Sequence, residues 1–185
     1  MAFRTFDQIL RPDSRFETLV RLDFETGNVR QLTLKDHYDI IAEIELTDSL
    51  PEAVRMQFDK ARNAFLYAWF DYELLNVAQG FAYAATEFAL RVKIAGSDTQ
   101  LPRSPGLKRL FKQAIMNGWV TDEGFRRVSK REIQNGYTAQ LPNILSYLRN
   151  EFTHGSHYIL PPGSAISAIE ISANIINQLF EKRSV

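Results

Sequence analysis

The chain has 185 residues, with 22 basic and 22 acidic side chains, no cysteine, 45% hydrophobic residues and 12% aromatic ones. That length and composition fit one compact domain with a real core, and the missing cysteines exclude a disulfide scaffold, a thiolate metal site and a cysteine nucleophile. Zero net charge argues against strong non-specific nucleic-acid binding; no apolar run is long enough to cross a membrane, and MAFRTFDQILRPDSR lacks the apolar core of a secretory signal, so a soluble cytoplasmic protein is expected.

The first 49 residues differ in pattern from the rest. Val20, Leu22 and Phe24 alternate with Arg21, Asp23 and Glu25, and after Thr26-Gly27-Asn28 a second run sets Arg30, Leu32 and Leu34 between Gln31 and Thr33. Alternation about a Gly-Asn pair predicts a β-hairpin, which is marginal in water unless it lies on something larger. The stretch LTLKDHYDIIAEIEL that follows reads equally as a short helix starting near Thr33 or as extended chain. Residues 1–49 are thus expected to form an appendage to a helical domain over residues 50–185.

From Pro51 the period is helical. Unbroken to Ile94, such a helix would run about 65 Å, too long for a domain of this size. A break near Asp71–Asn76 divides it into one helix over Pro51–Phe70 and a second over Leu75–Ile94, whose predicted inward stripe is Val77, Phe81, Ala84, Ala85, Phe88 and Val92. Gly96 to Gly106, with two prolines, ends it. A third helix carries Leu107, Leu110, Phe111, Ala114 and Ile115 on one face and Lys108, Arg109 and Lys112 on the other, and stops at Gly118. In QLPNILSYLRNEFTHG the stripe Leu141, Ile144, Leu145, Leu148 and Phe152 predicts a fourth helix capped at Gly155, and the last runs from Ser164 to about Lys182. The expected fold is mainly α: an up-and-down bundle of about five helices with a small N-terminal hairpin.

Chemistry-bearing residues are few. The three histidines are His37, His154 and His157, and no HExxH, Walker, GxGxxG or GxSxG pattern occurs, so neither a metal nor a cofactor is expected. His37 is expected at the surface, and Phe65, Trp69, Phe70 and Phe81 in the core rather than on a base-stacking platform. Residues 103–131 hold eight basic and two acidic side chains, either a solvated helix face or a phosphate-facing surface.

The one local constellation is Arg149-Asn150-Glu151-Phe152-Thr153-His154. A guanidinium offers a planar fork of donors to phosphate, and an imidazole exchanges a proton near neutral pH. Together they suffice for metal-independent RNA cleavage. On an ideal helix the two residues lie about 140° apart, so one motif makes an awkward site, whereas two motifs facing each other across a two-fold axis make an easier one.

This R-x4-H arrangement, as RNEFTH on a late helix of a small all-α bundle, resembles the HEPN superfamily. AYAATEFALRVKI resembles an earlier helix of those domains, and LRNEFTHG followed by a loop and a final apolar helix is a third point of likeness. The resemblance spans about residues 51–182 and extends to uncharacterised bacterial HEPN-like proteins; residues 1–49 lie outside it. It implies a homodimeric bundle in which paired motifs form one ribonuclease site, with RNA as substrate, in a defence or toxin–antitoxin setting that includes a cognate antitoxin. Carried over, Arg149 is the phosphate-binding residue, His154 the proton-transfer residue, Asn150 the polar residue that orients them, and Glu87 an acidic partner of the arginine. The alternative is a non-catalytic interaction or nucleotide-sensing module, in which Arg149 simply pairs with Glu87 or Glu151, Glu87 and Arg91 form a solvated i,i+4 bridge, and His154 caps its helix.

Overall fold

The computed structural model describes residues 3–96, 105–125, 136–153 and 160–181, with residues 151–153 as backbone alone. Within them the chain is mainly helical, with six α-helices and one two-stranded antiparallel hairpin, in agreement with the mainly-α expectation. The hairpin pairs β1, Val20–Leu22, with β2, Val29–Gln31, setting Val20 opposite Gln31 and Leu22 opposite Val29. Asp23 turns the chain: its carboxylate accepts the amides of Glu25 and Thr26, and Gly27 supplies a positive φ of 71°. Every strand residue is exposed, so the alternation that predicted the hairpin does not produce a buried face.

The ambiguous stretch after the hairpin is helix α1, Leu34–Ala42. Thr33 caps it: its Oγ1 accepts the Asp36 amide at 3.2 Å, and the Asp36 carboxylate accepts the Thr33 amide at 3.0 Å. Asp36 also accepts from Arg21 at 2.5 Å and from Arg30 at 2.5 and 2.6 Å, which ties the hairpin to the helix start. His37, expected at the surface, is 1% exposed. It lies on the inward face of α1, stacked on Phe65 at 4.4 Å and edge-on to Phe16, with Nε2 2.8 Å from the Phe65 carbonyl. An imidazole with one satisfied nitrogen packs there as a flat, mostly apolar ring.

Helix α2, Glu52–Tyr67, buries Val54, Phe58, Ala61 and Phe65 in a 3.6-residue stripe. The break before α3, Leu74–Ala95, falls close to where helix length required it. Buried Asp13 holds that bend: its amide donates to the Trp69 carbonyl at 2.9 Å, and its carboxylate accepts the Tyr72 amide and the Arg15 guanidinium. Arg15 also pairs with Glu73 at 2.8 Å and lies over the Tyr72 ring. Phe16 fills the space behind, 5.1 Å from Trp69 and 5.2 Å from Tyr72.

Helix α3 is the central element, packed along α2 and touching α4, Leu107–Met116, α5, Tyr137–Thr153, and α6, Pro162–Phe180. Its buried face agrees with the predicted stripe at Ala85 and otherwise differs: Leu75, Ala78, Ala82, Thr86 and Ala89 are also inside, whereas Phe81 and Ala84 are exposed. α4 buries Leu107, Leu110, Phe111 and Ala114 as its period predicts. α5 starts earlier than expected, because Asp122 accepts the Thr138 amide at 2.7 Å, and Pro142 is carried inside it without an amide for the Thr138 carbonyl. Leu141 and Leu145 are buried there, but Ile144 is exposed. α6 begins at Pro162 rather than after a Ser164 cap, with Pro161 as the cap residue. Phe16, Ile41 and Ile44 from the N-terminal segment share one core cluster with the buried residues of the later helices.

Candidate functional site

Three elements meet beside the motif helix. Glu87 and Arg91 stand one turn apart on α3, facing away from its alanine-lined core side. Arg149 and Asn150 come from the last full turns of α5, and Ser146 from the turn before. Lys108 and Arg109 lie in the first turn of α4, which Gly106 opens in an extended conformation. α4 packs against both α5 and α3, and this crossing brings residues some forty and twenty positions apart around one opening.

Arg91 donates to Glu87 Oε1 at 2.6 Å, and Arg149 Nη2 lies 3.5 Å from Glu87 Oε2. The Glu87 and Arg91 side chains are only 14% and 12% exposed, so their bridge is largely shielded rather than the solvated pair expected from spacing. Arg149 is 44% exposed and reaches from Glu87 toward solvent. The 3.5 Å contact holds the Arg149 guanidinium beside the Glu87 carboxylate. The cavity these groups line has a volume of about 360 Å³, with Glu87, Gly106, Leu107, Lys108, Arg109, Ser146, Arg149 and Asn150 around it. It is open to solvent.

The structure therefore brings three of the four predicted site residues together: Glu87, Arg149 and Asn150 share this cavity. The fourth, His154, lies outside the described residues, as do His157, the expected Gly155 cap and the side chain of Glu151. Lys108 and Arg109 are the residues that sequence reading did not place in the site. It registered them as one polar helix face within a basic stretch, and the available signal was Gly106 two residues before the consecutive cations Lys108 and Arg109 at a helix start. Of the remaining basic residues in that stretch, Lys112 is exposed on α4, whereas Arg103, Arg126, Arg127, Lys130 and Arg131 lie outside the described residues.

Chemically the cavity is an anion receiver. Among the described residues its one carboxylate, Glu87, already faces two guanidinium groups, so Lys108 and Arg109 leave that lining with excess positive charge. No group of three or more potential metal ligands occurs among the described residues, and no helix among them is long and apolar enough to cross a membrane. Comparison with protein-family models, curated proteins and solved structures returns no match to the chain.

Proposed function

We propose that the chain is a metal-independent endoribonuclease that acts as a homodimer, with Arg149 and His154 as its reacting groups. The observation that supports this reading is the cavity that Arg149, Asn150 and Glu87 line together, with Arg149 3.5 Å from Glu87, in keeping with the roles the HEPN resemblance implies. His154 takes the proton of a ribose 2′-hydroxyl as its oxygen attacks the adjacent phosphorus. Arg149 stabilises the charge of the resulting phosphorane. The imidazolium then returns a proton to the departing 5′-oxygen, leaving a 2′,3′-cyclic phosphate on one fragment and a 5′-hydroxyl on the other. Asn150 orients the phosphate, and Glu87 positions the Arg149 guanidinium. A cytoplasmic defence or toxin–antitoxin role, with a cognate antitoxin as protein partner, accompanies this reading.

The test is RNA cleavage in the presence of chelator. The unaltered chain is expected to give cyclic-phosphate ends, and His154→Ala to lose at least about 100-fold in rate, the usual scale for removing a general base. Cleavage that requires added metal, or that survives the substitution, removes the proposal. The shielded Glu87–Arg91 bridge favours a second reading, a non-catalytic nucleotide-sensing module in which Arg149 serves structure. Binding without any cleavage would select it.

A further inference from the structure

We infer that the cavity beside Arg149 is a phosphate subsite for single-stranded RNA, in which Lys108, Arg109 and the first turn of α4 hold a backbone phosphate next to the one being cut. The choice of RNA rests on the nuclease reading above; the phosphate chemistry rests on the cavity itself. Lys108 and Arg109 are exposed, line the opening, and have no ion-pair or hydrogen-bond partner among the described residues. The amides of Leu107 and Lys108 are the first two of α4 and have no intrahelical acceptor, whereas those of Arg109 and Leu110 are taken by the Gly106 carbonyl. Partial positive charge at that helix end and two exposed cations therefore line the same space. In the wall, the Ser146 Oγ is buried with no hydrogen-bond partner among the described residues. The volume, about 360 Å³, suits a nucleotide-sized group rather than a lone ion. Arg149 stands at the rim, so a strand entering across Lys108 and Arg109 presents its next phosphate to the motif.

The test is a salt titration. A fluorescein-labelled single-stranded RNA pentamer is bound by the full chain carrying His154→Ala, so that no cleavage occurs, and anisotropy is followed as salt is raised. Each phosphate-contacting cation contributes roughly 0.7 to the slope of log affinity against log salt for single strands. Adding Lys108→Ala and Arg109→Ala should lower the slope by about 1.4 and weaken binding several-fold. Lys112→Ala, on the same helix but not in the cavity lining, should leave the slope where it was. An unchanged slope in the double variant, an equal fall with Lys112→Ala, or no binding by the parent overturns the subsite. The nuclease reading fails separately: no cleavage in chelator, together with a slope that falls as stated, removes catalysis and keeps the subsite. Cleavage with an unchanged slope does the reverse.

Discussion

Asp13 shows how one buried side chain governs the response to acid. Burial pushes its carboxyl up, but the Arg15 guanidinium and the amides of Arg15 and Tyr72 outweigh that and hold it down at about 2. A depressed carboxyl contributes stability that is complete above the ordinary value near 4 and is lost as pH falls through the folded value. Asp13→Asn should therefore flatten the decline in stability between about pH 4 and pH 2 by roughly 1–2 kcal/mol, less than full linkage because Arg15 keeps some contact with water. Urea unfolding across that window measures it, and a parallel decline in both chains contradicts it. His37 has the matching behaviour at higher pH. Burial lowers its pKa, and its bonds to the Phe65 and Leu66 backbone only partly offset that. Below about 6.5 the unfolded chain takes up the proton first, so stability drops as pH falls. His37→Gln should lose this dependence below about pH 6.5, which urea unfolding at falling pH measures. Neither residue was legible as a core group in the sequence, because both earn burial from neighbours far along the chain: Tyr72 and Trp69 for Asp13, Phe65 for His37.

At the scale of elements, α3 separates period from facing. Its apolar residues run around the whole helix, so a 3.6-residue stripe built on Val77, Phe81 and Ala84 fitted the pattern as well as the observed one. The helix is packed by α2 and α6, and close approach on two sides selects the small residues Ala78, Ala82, Ala85 and Ala89. Large side chains such as Phe81 are displaced to the edge, where it is 39% exposed. Ala85→Leu should then cost about 1–3 kcal/mol through overpacking, whereas Ala84→Leu, one residue earlier and exposed, should stay within about 0.5 kcal/mol. Equal costs in urea melts would restore the predicted stripe. α4, with one polar side, was read with its correct face: Leu107, Leu110, Phe111 and Ala114 are buried. α5 was legible in its buried Leu141 and Leu145 but not in its start, which Asp122 sets from outside the helix. The candidate site divides in the same way. RNEFTH is contiguous and was seen, whereas the cavity joins α3, α4 and α5, and no local pattern announces that Lys108 will stand near Arg149.

For the whole molecule, the decisive question is whether two copies meet along α5. Ile144 was expected inside but is 45% exposed, and Tyr147, one turn on, is 63% exposed. These two lie three residues apart on the solvent face of the helix that carries Arg149 two residues later. An exposed aliphatic–aromatic pair beside a cationic site is the kind of anchor that a small two-fold interface uses, since tyrosine contributes large contact area at low entropic cost. The proposed reaction makes the same demand from chemistry: Arg149 and a residue five positions on diverge by about 140°, so neighbouring copies supply complementary groups more readily than one copy does. Tyr147→Glu places like charges across such an axis while leaving an already exposed position, so the fold should survive and the dimer should not. Light scattering on the eluted protein should then give a monomer of unchanged circular dichroism, with RNA cleavage lost together with dimerisation. A monomer that still cleaves would show that one motif makes a complete site, and the two-fold arrangement would no longer be needed to reconcile Arg149 with His154.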